Sequence, residues 1–161
     1  MAFDTLIRQM TQAASRGDGN AVASCFTDDG VYHDVFYGSF RGQEIADLIE
    51  NYFHRDGENF VWDIHQPVQQ GDIGYARYVF SYDSRLPQAQ GRRGIFEGVA
   101  ICQLQDDRIT GYREVATAAS GLYLLGFSAK SIHKFVKHDT KHLLDRPETA
   151  GHINRKSAGS F

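Results

Sequence analysis

The chain has 161 residues, which is enough for one domain with a substantial core. Charged residues make up 23% of it and hydrophobic residues 42%, an ordinary composition for a soluble protein. The first ten residues include Asp4 and no long apolar run, so no secretory signal is visible. No stretch approaches the roughly 18 apolar residues of a membrane span, and we therefore expect a cytoplasmic protein without a membrane partner.

The net charge of −3 hides an asymmetry, because all five lysines lie near the C-terminus. From Ala129 onward the chain has seven basic and three acidic residues, whereas the rest is acidic. A basic end could bind an anion, but no basic stripe with interleaved stacking aromatics is present. We therefore favour a solvated helix and tail resting on the acidic body, and we predict no nucleic-acid partner.

The two cysteines, Cys25 and Cys102, lie in apolar stretches of the sequence. Small buried thiols are common in protein cores, and a chain without an export signal gives little reason to expect a disulfide. We predict two free thiols.

The N-terminal third alternates helix and turn signals. Apolar residues at helical spacing predict a first helix that ends at "SRGDGN" and a short second helix capped by Asp18. "TDDG" is a turn signal, and "VYHDVF" predicts a short strand because Val, Tyr and Phe favour pleated surfaces. "YGSFRG" is predicted to turn the chain into a third amphipathic helix, with apolar positions at Ile45, Leu48, Ile49, Tyr52 and Phe53.

The sequence after "HRDGEN" has the pattern of a sheet. Strands are predicted at "FVWDIHQPV", "YARYVFSYD", "IFEGVAICQL" and "ITGYREVAT", separated by polar turns. A final helix is predicted from its N-cap Ser128 to Leu144. We expect a single domain at residues 1–145 and a polar tail at residues 146–161 that is extended or mobile. Three helices followed by antiparallel strands is an α+β order, and a curved sheet with helices over its concave face leaves a pocket.

Several phrases carry a family resemblance. "RGDGNAVASCFTDDGVYHD", "FRGQEIADLIENYF", "QDDRITGYREV" and "SGLYLLGFSAK" together span roughly 120 residues of the chain. They resemble the SnoaL-like branch of the NTF2-like (ketosteroid isomerase-like) superfamily. The resemblance implies a cone with a strongly curved mixed or antiparallel sheet, three N-terminal helices over its concave face, and a C-terminal helix. This fold hosts isomerases, cyclases, dehydratases, hydrolases and binding modules, so it does not by itself give a function.

The resemblance also implies a site inside the cone. Asp34 matches the strand position where ketosteroid isomerases carry their base. Alternation along the strand then places Tyr32 and Phe36 on the pocket side and His33 on the other side. Glu114 and Tyr112 share a strand face that the resemblance turns toward the pocket, and Trp62 is expected in the core or pocket wall.

Residues required by known reactions of the superfamily are absent at the matching positions. The tyrosine and the protonated acid that form the oxyanion hole of ketosteroid isomerase fall at Met10 and Ala100, and neither can donate a hydrogen bond. The aspartate of scytalone dehydratase-like relatives falls near Ser15, and that of SnoaL-type cyclases falls at Thr117. No strand carries the arginine between two aspartates of limonene epoxide hydrolases. The sequence therefore argues against each of these four reactions.

Three titratable residues remain as catalytic candidates. Asp34 and Glu114 are carboxyls on apolar strands, and burial would raise the pKa of either one toward neutrality. The alternative for Asp34 is a hydrogen bond to the "YGS" backbone, and the alternative for Glu114 is an ion pair with Arg77 or Arg113. His65 is the third candidate, although a lone strand histidine is more often a surface or interface residue.

The segment "HDTKH" places His138 and His142 four residues apart and resembles the HExxH zinc motif. A catalytic zinc needs a third protein ligand and a sheltered site, and this segment is rich in lysine. We predict neither a metal nor a cofactor.

Two functions are consistent with this sequence. The first is a lyase, isomerase or cyclase that holds a small, largely apolar molecule in the cone and uses Asp34 with Glu114 or His65. The second is a non-catalytic binding or accessory module. A homodimer through the sheet is also expected, because the predicted strand "IFEGVAICQL" is apolar on both sides, with Val99 on one face and Ala100 on the other.

Overall fold

Six strands form one sheet in the computed structural model, which describes residues 2–155. Helices α1 (Phe3–Arg16) and α2 (Gly19–Ser24) precede strands β1 (Phe26–Asp34) and β2 (Gly38–Arg41). Helix α3 (Glu44–Asp47), a π-helical turn (Leu48–Phe53) and α4 (His54–Asp56) lead to β3 (Gly57–Gln70). Strands β4 (Ile73–Ser84), β5 (Arg93–Gln105) and β6 (Arg108–Ala116) complete the sheet, with a short 3-10 turn (Pro87–Ala89) before β5. Helices α5 (Ala118–Leu124), α6 (Ala129–Leu144) and α7 (Ala150–Ile153) end the described part, with a second 3-10 turn (Pro147–Thr149) between α6 and α7.

The strand order is β2-β1-β6-β5-β4-β3. All neighbouring strands are antiparallel except β1 and β6, which are parallel with Tyr32 opposite Tyr112. This open mixed sheet with helices packed on one face confirms the predicted α+β, NTF2-like architecture. The parallel contact matters for the site, because side chains at equal steps along β1 and β6 stay level with one another.

Helix α1 packs its apolar stripe onto the sheet and fills one part of the space in front of it. Ile7 and Met10 are fully buried against sheet residues such as Ala76, Ala100 and Cys102. Asp18 caps α2 by accepting a hydrogen bond from the Ala21 amide, as the sequence predicts. The remaining space in front of the sheet is where a cavity forms.

The N-terminal strand region differs from the prediction in three ways. Residues 27–30, expected to form a turn, belong to β1, whose pairing with β6 is interrupted by a bulge between Phe26 and Val31. The predicted turn "YGSFRG" contains the edge strand β2. The third helix is interrupted by a π-helical turn, a feature frequent at functional sites, and it delivers Phe53 toward the sheet.

The two cysteines are free and buried, as the sequence predicts. The C-terminal region agrees only in part. Helix α6 begins after Ser128, whose hydroxyl accepts from the Ser131 amide, and it ends at Leu144 as predicted. Helix α5 was not predicted, and residues 147–153 form short helical turns where an extended tail was expected. The end of the predicted tail, residues 156–161, lies outside the described residues.

The apolar side of helix α6 is mostly uncovered in the single chain. No residue of α6 is buried, and Val136 and Leu143 are 43% and 44% exposed. The ring of Phe135 lies 5.2 Å from that of Phe36, which in turn lies 5.9 Å from Phe96. The helix therefore contacts the rest of the protein through an aromatic cluster rather than through a fully packed face.

Ending the chain at Ser128 is expected to lower the melting temperature by roughly 3–8 °C, because Phe36 loses its cover and the partly buried Ile132 and Phe135 are removed. Differential scanning calorimetry measures the change. The control ends the chain at Glu148, which keeps all of α6, and should melt within about 2 °C of the full chain. Equal melting of both truncated chains and the full chain would show that α6 adds nothing to stability.

Candidate functional site

A cavity lies between the sheet and the turn that follows β1. Its empty volume is about 570 Å³, including the open mouth. The centres of water-sized molecules can occupy about 50 Å³ of it, and this smaller volume is called the closed part of the cavity below. Since one water needs roughly 10–15 Å³ of such space, the closed part holds a group of a few non-hydrogen atoms. The lining residues come from five strands, two turns and α5: Tyr32, Asp34, Val35, Phe36, Tyr37, Phe53, Phe60, Trp62, Tyr78, Phe80, Tyr82, Phe96, Glu114, Ala116 and Ala118.

The lining is aromatic and acidic. Ten of these fifteen residues are Phe, Tyr or Trp, and the two ionisable carboxyls are Asp34 and Glu114. The lining contains no lysine, arginine or histidine. Alternation along the strands produces the aromatic wall, because Tyr78, Phe80 and Tyr82 lie two residues apart on one face of β4.

Asp34 stands at the last position of β1, where the chain leaves the sheet. One of its oxygens, Oδ2, accepts hydrogen bonds from the backbone amides of Phe36 at 2.9 Å and Tyr37 at 3.0 Å. The apolar surroundings raise the pKa of Asp34 to about 6, although these two amides oppose the rise. Asp34 therefore lines the cavity and also stabilises the turn, and of its two amide donors only Tyr37 belongs to the predicted "YGS" backbone.

Glu114 lies on β6 and is held by two tyrosines. Its Oε2 accepts hydrogen bonds from the hydroxyls of Tyr78 at 2.6 Å and Tyr112 at 3.0 Å. Burial, followed by the negative charge of Asp34, raises the pKa of Glu114 to about 7 against the opposing effect of the two hydroxyls. The alternative of an ion pair is wrong for Arg77, which instead pairs with Glu97 at 3.3 Å. No ion pair of Glu114 with Arg113 is present among the described residues either.

The sheet register explains why the two carboxyls meet. Tyr32 lies opposite Tyr112 in the parallel β1–β6 pair. Asp34 and Glu114 are each two residues further along their strands. They therefore lie on the same face of two neighbouring strands, whose backbones are about 5 Å apart. Each carboxyl is anchored through a single oxygen, and the described residues donate no hydrogen bond to Asp34 Oδ1 or Glu114 Oε1.

Tyr78 reaches Glu114 by crossing a whole strand. It lies on β4 opposite Gly98 of β5, while Glu114 lies on β6 on the far side of β5. A methyl group placed on Gly98 would overlap the Tyr78 hydroxyl and would lie 2.6 Å from the ring carbon that bears it. The missing side chain at Gly98 is therefore what gives Tyr78 a path to Glu114.

Trp62 is the single tryptophan of the chain and lies on the cavity wall against Phe80 and Tyr78. Its indole Nε1 is buried, and no described residue accepts a hydrogen bond from it. A buried donor without a partner is uncommon in native proteins. This N–H is a buried polar group of a cavity-lining residue that the described residues leave without an acceptor.

Most of the predicted site residues line the cavity. Asp34, Tyr32, Phe36, Trp62 and Glu114 line the cavity, although Phe36 arrives there from the turn after β1 and not by strand alternation. Tyr112 does not line it: the side chain is fully buried and acts through its bond to Glu114.

His65, the candidate histidine, and His33, which was expected outside the pocket, both lie away from the cavity. His33 is exposed, as expected, with Nδ1 2.7 Å from the Ser39 hydroxyl. His65 follows Ile64, whose side chain is buried in the core, so the His65 side chain points to the opposite face of β3. His65 therefore does not lie beside the two carboxyls. This position corrects the sequence expectation that His65 acts together with Asp34.

The residues at the positions that matched the ketosteroid isomerase oxyanion hole and the SnoaL-type cyclase aspartate do not line the cavity. Met10 is a buried residue of α1 that packs toward the sheet, and Ala100 lies opposite Glu114 in the sheet. Thr117 is exposed and bonds the Glu97 carbonyl. The hydroxyls near the carboxyls come instead from Tyr78 and from Tyr112.

The sequence did not single out most of the aromatic wall or the role of Tyr78. The signal was present in "YVFSYD", where aromatic residues alternate along one strand face. Tyr78 could not be assigned to Glu114 without the strand order, because the two residues are separated by β5. On the surface of α6, His142 Nε2 lies 3.1 Å from His138 Nε2, and the described residues contain no group of three or more metal-ligating side chains.

An open cone-like sheet with helices on one face and an acidic cavity within defines an NTF2-like protein of the ketosteroid isomerase-like class. The chain belongs to the SnoaL-like domain family, whose model matches residues 7–112. No curated protein matches the chain in sequence. The described part of the chain has no helix that is both long and apolar enough to span a membrane.

Solved structures show the same fold at low sequence identity. A protein with a ketosteroid isomerase-like fold from Catenulispora acidiphila, in complex with trimethylamine, has a TM-score of 0.68 at 19% identity and covers 78% of this chain and 95% of its own. An LEH-like epoxide hydrolase from M. tuberculosis has a TM-score of 0.62 at 20% identity, with coverages of 75% and 86%. IdmH of Streptomyces antibioticus, a proposed polyketide cyclase, has a TM-score of 0.62 at 17% identity, with coverages of 77% and 98%.

Proposed function

We propose that this protein is an enzyme that binds a small, largely apolar molecule in the cavity and moves a proton on it, as a lyase, isomerase or cyclase does. The observation that carries the proposal is the pair of carboxyls, each anchored through one oxygen with the other left unbonded by the protein. Anchoring fixes the position of a catalytic group, and the unbonded oxygen can exchange a proton with a ligand.

The two carboxyls have complementary roles. The pKa of Asp34 is about 6 and that of Glu114 is about 7. Between about pH 6 and pH 7 the cavity therefore holds one ionised and one protonated carboxyl. Ionised Asp34 is then the base, and protonated Glu114 is the acid that stabilises charge on the ligand. Because the two groups interact, their titration belongs to the pair.

The similar structures support an enzyme without naming its reaction. One is described as an epoxide hydrolase and another as a proposed polyketide cyclase, so the fold carries catalysis on small organic molecules. A third is in complex with trimethylamine, a molecule of the size that the closed part of this cavity holds. The residues required by the known reactions are absent here, which favours a different substrate.

The test is exchange of carbon-bound hydrogen for deuterium. The protein is incubated in D₂O with a panel of small ketones, aldehydes and enones, both neutral and amino-substituted, and deuterium uptake is followed by NMR. We expect at least one compound to exchange faster than in buffer, with a maximum between about pH 6 and pH 7. Exchange at the buffer rate for the whole panel would favour the alternative, a non-catalytic binding module.

We also propose a homodimer through the open face of the sheet. The face away from the helices exposes Val61, Val68, Tyr75, Ile95, Val99 and Val115, with Val115 60% exposed. Val99 and Val115 lie side by side in the register, so the patch is continuous across β5 and β6. An apolar sheet face of this kind is a typical interface between copies of one chain.

The buried free thiols Cys25 and Cys102 fit a reducing compartment such as the cytoplasm.

Replacing Val99 by lysine is expected to convert the dimer to a monomer at micromolar concentration, because two copies of the charge would meet in an apolar interface. Light scattering after size exclusion measures the mass. Gln9→Lys adds the same charge on the exposed side of α1 and should leave the dimer intact. A monomeric wild-type protein at this concentration would contradict the proposal.

A further inference from the structure

The cavity carries negative charge without any positive partner. Its lining holds the carboxyls of Asp34 and Glu114 and no basic side chain. The basic residues that do pair with acids do so elsewhere, as Arg77 does with Glu97 and Arg93 with Asp83. Hydrogen bonds compensate one oxygen of each carboxyl, Asp34 Oδ2 and Glu114 Oε2, and the cavity lining supplies no cation to either. A buried carboxylate stays costly without a cation, so this site is complementary to a ligand that brings the cation itself.

The walls of the cavity suit one kind of cation. Aromatic faces attract cations through their quadrupole, most strongly when the cation is poorly hydrated and enclosed by several rings. The ring of Phe60 stacks on those of Phe80 and Tyr82 with centroids 5.9 and 5.4 Å apart, while the Phe80 and Tyr82 rings are tilted by 43° at 5.7 Å. The ring of Trp62 lies 5.0 Å from that of Phe80. A methylated ammonium group matches such a wall, since its methyl groups pack against rings while its charge is shared with the carboxyls.

We infer that the molecule bound in this cavity carries a small tertiary or quaternary ammonium group, enclosed by the aromatic wall and facing Asp34 and Glu114. This inference rests on the proposed function, because it names the substrate class of the same cavity. The closed part of the cavity accommodates a group the size of trimethylammonium, and the remainder of the molecule extends through the open mouth.

The pH dependence of binding follows from the groups around the cavity. Burial raises the pKa of Asp34 to about 6 and that of Glu114 to about 7, so the negative charge of the pair grows between pH 5 and pH 8. The other titratable groups nearby are Asp56, whose pKa is lowered by Arg55, and a set whose pKa values are all raised: Tyr32, Tyr37, Tyr78, Tyr82, Cys102 and Tyr112. None of these changes charge between pH 5 and pH 8, so the affinity for a cation follows Asp34 and Glu114 and rises with pH.

The experiment compares two probes of equal shape. Choline and 3,3-dimethyl-1-butanol differ in the charged nitrogen, which is carbon in the alcohol. Each is titrated into the full chain at pH 5 and pH 8, using the emission of Trp62 and, independently, calorimetry. We expect choline to bind at least about tenfold more tightly than the alcohol at pH 8 and to lose about tenfold in affinity at pH 5. The alcohol should change little with pH.

Two variants test whether the carboxyls of Asp34 and Glu114 cause the preference for the cationic probe. Asp34→Asn combined with Glu114→Gln should reduce the preference for choline at pH 8 to within about threefold, while Glu97→Gln on the open sheet face should retain it. Circular dichroism checks that each variant is folded. A preference that survives the double change would overturn the assignment to these carboxyls.

The remaining outcomes separate this inference from the proposed function. Equal or tighter binding of the alcohol overturns the ammonium inference and leaves a cavity that binds neutral molecules. Failure of both probes to bind up to about 10 mM also overturns it. The deuterium-exchange panel includes neutral ketones and enones, so it decides independently whether the protein is an enzyme.

Discussion

Replacing Asp34 by asparagine is expected to lower the rate of the exchange reaction at least about 100-fold. The asparagine amide has nearly the same volume and cannot accept a proton, so the cavity keeps its shape and loses its base. Its side-chain oxygen can still accept the hydrogen bonds from the Phe36 and Tyr37 amides that Asp34 accepts now. Deuterium uptake at saturating substrate measures the change.

Stability separates a catalytic role of Asp34 from a structural one. In the folded protein the pKa of Asp34 is raised above that of an unfolded chain, so its ionisation disfavours folding as the pH rises through about 6. The Asp34→Asn protein should therefore melt at the same temperature as the wild type or higher at pH 8, and the difference should shrink toward pH 5. A protein that loses both activity and stability at pH 8 would indicate that Asp34 mainly holds the turn.

His33→Gln is the matched control for this experiment. His33 is the neighbour of Asp34 in the same strand, but its side chain is exposed and bonds Ser39 on the edge strand. Its replacement should leave the exchange rate within about twofold, because the group neither touches the cavity nor supports Asp34. A loss comparable to that of Asp34→Asn would mean that the two faces of β1 are not functionally distinct.

Local patterns predicted the elements but not the way they meet. The helical spacing of Ile7 and Met10 and the alternation of Trp62 with Ile64 identified buried faces correctly, because burial follows the period of each element. The sequence assigned Val35 and Phe36 to the end of the strand "VYHDVF" and Tyr37 to the following turn, whereas β1 ends at Asp34 and all three residues follow it. The side chains of Val35, Phe36 and Tyr37 face the cavity because Asp34 holds the backbone there, and that hydrogen-bonding pattern has no periodic signal.

The pairing of Asp34 with Glu114 depended on family resemblance and not on the sequence alone. The two residues are 80 positions apart and meet because β1 and β6 run parallel in adjacent positions of the sheet. His65 was misplaced for the opposite reason: it was selected for its chemistry, while the two-residue period of β3 assigns it to the other face. Chemistry identifies candidate residues, and strand register decides which of them act together.

Gly98 illustrates a requirement that only the structure exposes. Tyr78 crosses β5 above this glycine to donate its hydroxyl to Glu114, so any side chain at position 98 occupies the same space. The glycine needs no unusual backbone conformation there, and alanine is excluded by its methyl group and not by strain. The sequence around it, "FEGVAI", contains no sign of this function.

Replacing Gly98 by alanine is therefore expected to destabilise the protein by about 1–3 kcal/mol and to move the Tyr78 hydroxyl away from Glu114. The Tyr78 hydrogen bond lowers the pKa of Glu114, so its loss raises that pKa and shifts the alkaline limb of the exchange profile to higher pH. Chemical denaturation and the pH–rate profile measure the two effects. Tyr78→Phe, which removes the hydroxyl and keeps the ring, should reproduce the shift in the pH profile without the overlap.

Gly111→Ala provides the control for this substitution on β6. A methyl group at Gly111 would lie 3.9 Å from the nearest atoms of Gln103, so alanine fits there without displacing a side chain. Its free energy of unfolding should stay within about 0.5 kcal/mol of the wild type, with an unchanged pH profile. If Gly98→Ala behaved like Gly111→Ala in both measurements, Tyr78 would have another route to Glu114, and the glycine would not be what positions the acid.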